Sequence, residues 1–550
     1  MEIWMLQGLK QNRADAEKGT SPEVAYRRSG WWGNSSIIER FQNFAKCNPD
    51  RLALVDDRGR EFTNAQLLAE SVAMAALLKE RGIEPDDVVI IVLPNWVEWQ
   101  VVHLAIRLLG AIPANIPLKT DARMLAHVVN LVSARCLVGT DVFGGFDLGP
   151  VLKHAADSAD HRVDVLKISG SGALEWSANS SANPAVKVSD PDLDHIMFTS
   201  STTGMPKAVM HSQDSLNAFH ETMASRFDLV PDGSIFMGSP LGHSVGAIHG
   251  ARMSLYFGLP LILQQKWNAA EAVQMIEKFG CTYTAAATPF LKDLIDLKQT
   301  GPLPKLNSLR YFLCGGAQVP PALLERADRE FPNTYVTVLW GMTEGGYTTS
   351  IPGTSSTVQR HQTAGCASDG LEIVILDEAG KPAGPGCEGD LTVRGPALFY
   401  GYYNQPELNE ALFDRDGFFF VGDRAVMDED GYIRITGRSK DLIIRGGVNI
   451  SPVPIEDVLA SHADVTSVAV IGYPDDRLGE RICAVFGPSE TRLSLDDVTR
   501  FAGEHGLAKQ HWPEFVFYID EMPTTPAGKI RKNDVRQWLE STLAAKGQGQ

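Results

Sequence analysis

Apolar positions along this chain come in two rhythms. Short runs that are apolar on both faces, such as Asp87-Val88-Val89-Ile90-Ile91-Val92-Leu93 stopped by Pro94, read as buried strands, and stretches of helical character separate them. Thr63 and Gln66 form a capping box ahead of a helix that runs to Arg81, and Gly82 closes it. A second helix is predicted from about Val97 to Leu109, ended by Gly110, and Ala111 to Ala114 starts the next strand. His195 to Phe198, Leu309 to Cys314 and Tyr335 to Leu339 continue the alternation. Strands apolar on both faces and alternating with helices predict a parallel sheet covered on each side.

After Gly365 the texture changes. Leu371 to Leu376, Gly389 to Val393 and Tyr432 to Ile435 read as strands, and the turn signals Asp416-Gly417 and Asp430-Gly431 predict a small barrel-like β subdomain. From about Lys440 strands and helices mix again over enough chain for a compact α+β domain. The expected fold class is therefore α/β, with a large N-terminal domain over 1–439 that includes the β subdomain and a small C-terminal domain over 440–550. Residues 1 to about 35 show no clear periodicity and read as a loosely ordered lead-in; Ser177 to Pro184 read as a surface loop.

Charge and cysteine usage narrow the classes. A net charge of −17 over 550 residues disfavours a nucleic-acid surface, yet a pocket can still be locally positive for a small anion. No run of 18 apolar residues occurs and Met1 to Leu6 lack a basic flank, so neither a membrane span nor a secretory signal is expected, and cytosol is the expected compartment. Seven scattered cysteines with no C-x-x-C pair argue for reduced thiols over a disulfide framework or a zinc site.

Chemistry concentrates first in Phe198-Thr199-Ser200-Ser201-Thr202-Thr203-Gly204-Met205-Pro206-Lys207. Successive hydroxyls and backbone N–H groups can wrap a polyphosphate, Gly204 permits the turn, and Lys207 adds a point charge. The loop is not a Walker A loop, because Pro206 separates Gly204 from Lys207. Trp340-Gly341-Met342-Thr343-Glu344 directly follows a strand: a flat aromatic for a purine, a hydroxyl for a phosphate and a carboxylate for Mg²⁺. Cys314-Gly315-Gly316-Ala317 also ends a strand with residues small enough for a flat base or an acyl group to lie against. Gly242-His243-Ser244-Val245-Gly246 satisfies G-x-S-x-G, which opens a separate reading, a serine hydrolase using Ser244 with His462, His505 or His511.

Taken together, S-x-T-T-G-x-P-K-x-V, W-G-M-T-E and Pro526-Ala527-Gly528-Lys529 resemble the signatures of the adenylate-forming superfamily: acyl-CoA synthetases, luciferases and peptide-synthetase adenylation domains. The resemblance covers roughly residues 35 to 545. Val209-Met210-His211-Ser212, Gly437-Arg438-Ser439-Lys440-Asp441 and Ala508-Lys509-Gln510 look most like cyclohexanecarboxylate-CoA and medium-chain fatty acyl-CoA ligases. It implies ATP, Mg²⁺ and CoA as cofactors and a carboxylic acid as substrate. It also implies an ATP site from Thr199 to Lys207, Gly315, Gly316, Ala317, Trp340, Gly341, Met342, Asp423, Ile435 and Arg438. Thr343 would meet the α-phosphate, Glu344 the metal, and Lys529 would be the catalytic lysine. His243, with Val245, Ala287, Thr288, Gly315 and Gly345, would line the acid pocket, and Gly446 and Gly447 the pantetheine channel. Lys440 would be the hinge of a mobile C-terminal domain. Two positions depart from the pattern, Ser201 for a usual Gly and Ala208 for the Gly after the loop lysine. An amide ligase or carrier-loading enzyme, a nonenzymatic AMP-binding protein and a homodimeric assembly stay open.

Overall fold

A computed structural model describes residues 22–33, 36–169, 193–199, 205–227, 233–298, 306–316, 319–410, 412–438, 441–445, 448–475, 477–524 and 530–547. Two sheets make up most of the large N-terminal domain. The nine-stranded sheet has a parallel centre, Tyr335–Met342, Tyr311–Cys314, Cys281–Ala286, Ser234–Met237, Leu261–Leu263 and Leu52–Asp56 in spatial order, with antiparallel strands at its flanks. The six-stranded sheet runs Lys207–Ser212, Leu193–Thr199, Ile112–Asn115, Val88–Val92, Cys136–Gly139, Asp164–Lys167, and only its first strand is antiparallel.

Helix Val97–Leu108 packs between the sheets, and every one of its residues is buried. One hydrophobic cluster joins its Trp99, Val102 and Ile106 to Val89 and Ile91 of one sheet and to Leu54, Ile235 and Leu261 of the other. A helix buried on every face is stable only in such a place. The capping box of Thr63 and Gln66 is present, on helix Asn64–Glu80.

The lead-in is partly a correction. Pro22–Arg28 is a helix, fixed by long-range docking that leaves no local period: Arg27 pairs with Asp214 at 2.8 Å, and Trp32 Nε1 donates to the Pro396 carbonyl at 2.9 Å. The surface loop expected at Ser177 to Pro184 lies outside the described residues. The β subdomain is an antiparallel meander of Glu372–Leu376, Glu388–Arg394, Phe419–Met427 and Ile433–Arg438, whose two outer strands do not pair with each other. Its third strand escaped the sequence reading because Gly422, at φ +83°, and Asp423 interrupt the apolar run. The small C-terminal domain has its own sheet, Ile443–Arg445, Val448–Ile450, Val468–Asp475, Gly479–Phe486 and Phe515–Tyr518, with hydrophobic clusters drawn only from that part of the chain.

Charges are also buried between the sheets. Asp194, at the start of the strand that leads to the Ser/Thr-rich loop, lies 3.0 Å from Arg252 Nε and 3.4 Å from Arg107 Nη2. Burial by itself pushes the Asp194 carboxyl up, but the two guanidiniums outweigh it and hold the group well below the usual carboxylate range. Asp194→Asn would leave two buried cations short of their counter-charge, and should lower stability by about 3–5 kcal/mol in urea unfolding at neutral pH. The sign with pH follows from the lowered value: the contribution is complete above the ordinary Asp pKa of about 4 and is lost as pH falls toward the folded value. The gap between wild type and variant should therefore narrow in acid.

Candidate active site

Strands Leu193–Thr199 and Lys207–Ser212 form a hairpin in which Thr199 faces Lys207. The turn that joins them, with Ser200, Ser201, Thr202, Thr203 and Gly204, lies outside the described residues. Lys207 Nζ sits 4.4 Å over the ring of Tyr402, within cation–π range. The Tyr402 hydroxyl donates to Glu344 Oε1 at 2.9 Å. Backbone bonds fix the tyrosine against the hairpin: Met210 N donates to the Gly401 carbonyl at 3.0 Å, and Tyr403 N to that of Ala208 at 2.7 Å. Asn409 locks the turn, its Oδ1 accepting from Tyr402 N at 2.8 Å and its Nδ2 donating to the Tyr402 carbonyl at 2.9 Å.

Thr343 and Glu344 follow the carboxyl end of Tyr335–Met342, which is where open α/β sheets place their ligands. Gly341 is required there, because a Cβ would run into the Gly346 carbonyl of the paired strand. His211, fully buried, donates from Nε2 to the Thr343 carbonyl at 2.7 Å, and burial pulls its pKa down to about 4 despite that bond. At neutral pH it is an uncharged clamp with its tautomer set by the carbonyl. Burial pushes the Glu344 carboxyl up, and Tyr402, Lys207 and Arg438 pull it back.

A second constellation joins the β subdomain to the same strand end. Asp423 and Arg438 face each other across paired strands, with Arg438 Nε 3.2 Å from Oδ1, while Trp340 Nε1 donates to Oδ2 at 3.0 Å. Ile435 pairs with Ala425 one strand over and packs on the cluster that Trp340 also covers. Met342 packs with Trp340 on the neighbouring cluster. Gly315 N donates to the Ala286 carbonyl at 3.2 Å, and Gly316 turns away at φ +83°; Ala317 lies outside the described residues.

His243 and Val245 lie past the carboxyl end of Ser234–Met237, Ala287 and Thr288 past that of Cys281–Ala286, and Gly345 in the turn after Glu344. Asn95 holds this region: its Nδ2 donates to the Ser239 and Gln264 carbonyls at 2.9 and 3.1 Å, and its Oδ1 accepts from Leu241 N at 2.8 Å. G-x-S-x-G has a packing reason here. A Cβ on Gly242 would strike the Ile116 carbonyl, and one on Gly246 that of Pro240. Ser244 has ordinary right-handed helical angles, φ −52° and ψ −40°, and leads into the π-helix Val245–Arg252, so it lacks the strained turn of a nucleophile elbow. His462 stands edge-on to Phe501 of the C-terminal domain, and His505 lies tilted beside the same ring. Lys440, Gly446, Gly447 and Lys529 lie outside the described residues.

The model of the AMP-binding enzyme family matches residues 41–403, and that of the AMP-binding enzyme C-terminal domain matches 454–529. The chain belongs to this family. The medium-chain fatty-acid–CoA ligase of Escherichia coli strain K12 is 33% identical over 92% of this chain and 91% of its own length. A salicyl-AMP ligase/salicyl-S-ArCP synthetase of Mycobacterium tuberculosis is 31% identical over 94% and 93%. Among solved structures, ATP-bound MatB of Rhodopseudomonas palustris superposes with a TM-score of 0.81 at 26% identity, covering 92% of this chain and 99% of that one. The expected superfamily is borne out: this is an ATP-binding, AMP-forming enzyme of the acyl-CoA ligase kind.

The sequence reading assigned no role to Tyr402, His211 or Asn95. Phe399-Tyr400-Gly401-Tyr402-Tyr403, aromatics broken by one glycine, was the available signal for the first. Tyr402→Phe keeps the ring under Lys207 and deletes the donor to Glu344. Acid-dependent ATP–pyrophosphate exchange should fall about tenfold or more, the scale of one hydrogen bond to a charged group, with the thermal midpoint nearly unchanged. Exchange at the wild-type rate would remove Tyr402 from the site.

Proposed function

We propose that this chain is a cytosolic acid–CoA ligase whose substrate is an alicyclic or medium-chain apolar acid. The carrying observation is that Lys207, Tyr402 and Glu344 on one side, and Trp340, Asp423 and Arg438 on the other, meet at the end of strand Tyr335–Met342. In the first step the acid's carboxylate oxygen attacks the α-phosphorus of ATP and pyrophosphate leaves. In the second, the CoA sulfur attacks the acyl carbon, AMP leaves and the thiol proton goes to solvent. Catalysis then consists mostly of positioning and charge stabilisation.

Glu344 suits Mg²⁺, which is bound through one or two carboxylates plus substrate phosphates, and a cation there would offset the burial that raises its pKa. In this reading Thr199 to Lys207 take the outer phosphates, Thr343 the α-phosphate, and Asp423 with Arg438 the ribose. Lys529 stabilises charge between acid and α-phosphate, and Lys440 is the hinge between 1–439 and 440–550.

An apolar acid is supported by the surroundings of the turn after Glu344. The Phe219 ring lies against Gly346 and stands edge-on to Tyr347 and His249, which burial keeps neutral. CoA as acceptor is supported by a groove of about 510 Å³ lined by Arg58, Trp96, Val142, Phe143, Gln265 and Lys266. These residues all follow carboxyl ends of parallel strands, the edge that carries the site, and offer cations beside flat rings, as a phosphorylated nucleotide requires.

Two measurements test the reading. In a panel of carboxylic acids assayed for pyrophosphate release with and without CoA, cyclohexanecarboxylate-like or medium-chain acids should give the highest kcat/KM and a thioester product; acetate as best substrate would overturn the acid assignment. Arg58→Glu with Lys266→Glu should raise the KM for CoA about tenfold or more, as for charges that steer an anion, and leave ATP–pyrophosphate exchange unchanged. An unaltered CoA KM would move the nucleotide elsewhere.

A further inference from the structure

The ribose carboxylate is held from two sides. Each oxygen of Asp423 has a side-chain partner among the described residues: the Arg438 guanidinium forms an ion pair with Oδ1, its Nε 3.2 Å away, and the indole N–H of Trp340 donates to Oδ2 at 3.0 Å. A carboxylate accepts roughly four hydrogen bonds, so acceptor positions remain on both oxygens. A ribose brings two hydroxyl donors. The two partners decide which way the free lone pairs point.

Trp340 is well placed to be the stiffer partner. Its indole packs against two hydrophobic clusters, one within the β subdomain and one joining it to Val209 and Tyr402, whereas the Arg438 side chain is 40% exposed. Asp423 itself is buried, so an acceptor left unfilled there is costly. A phenylalanine at position 340 offers no N–H, and a tyrosine carries its donor on a different atom in a different direction.

We propose that Trp340 is a specificity-determining positioning residue: its N–H orients Asp423 so that the enzyme requires both ribose hydroxyls and discriminates against deoxynucleotides. This rests on the ligase reading, in which Asp423 meets the ribose. Without the indole N–H, Asp423 turns about Arg438 alone, water reaches its oxygens, and a missing hydroxyl costs less.

The test compares ATP with 2′-deoxy-ATP and 3′-deoxy-ATP in acid-dependent pyrophosphate exchange by wild type and Trp340→Phe. Titration of AMP against 2′-deoxy-AMP supplies a readout without turnover. A second variant replaces Trp340 with benzothienylalanine, an indole isostere bearing sulfur in place of N–H, so that the packing survives if phenylalanine unfolds the chain. Wild type should prefer the ribonucleotide, and in the variants the ribo-to-deoxy ratio should fall by about fivefold or more, the scale of one hydrogen bond at a buried carboxylate. A smaller fall, or equal weakening of ribo and deoxy nucleotides, overturns the proposal and leaves Trp340 a packing residue. Absence of any acid-dependent exchange in wild type would instead overturn the ligase reading itself.

Discussion

Glu344 is a carboxylate that burial pushes toward its neutral form, and the hydrogen bond from Tyr402 helps keep it an acceptor. Much of the site depends on that bond. It ties the turn after strand Tyr335–Met342 to the segment Phe399–Tyr403, and backbone bonds tie that segment to the hairpin strand beginning at Lys207. The same ring lies under the Lys207 ammonium. One side chain therefore sets the separation between a cation and a carboxylate that would otherwise collapse on each other or drift apart. Charge pre-set in this way costs no reorganisation when a charged ligand arrives.

The frame behind it solves a different problem. Two parallel sheets can share a helix only if that helix is buried all round, and Val97–Leu108 is. Its Arg107 then has no route to water. It pairs with Asp194, which also faces Arg252, so two buried guanidiniums share one carboxylate between the sheets. Replacing one partner alone is costly in such a layer, because the others cannot be hydrated. Asn95 does the equivalent work with neutral groups, using two donors and one acceptor to hold three segments at the mouth.

G-x-S-x-G shows how a motif acquires a second meaning. Its glycines stand where backbones pass too closely for any Cβ, beside Ile116 and Pro240. The serine between them has relaxed helical angles. The spacing that suggests a nucleophile is here a consequence of packing the His243 turn under its neighbours.

Local physics made much of this protein legible from its residues. Capping at Thr63, the strands at Val88–Val92 and Tyr335–Met342, and the contiguous run of hydroxyls with its lysine all declare themselves within a few positions, because period, caps and runs of like side chains are short-range properties. The family followed from those runs. The partners of the site residues did not: Tyr402 lies 58 residues from Glu344, Asp423 83 from Trp340, and His211 132 from Thr343. Nothing in the surrounding residues encodes such pairs. They form only when separate strands end at one edge, and there the burial that makes an unpaired carboxylate or carbonyl costly selects the donor that reaches it.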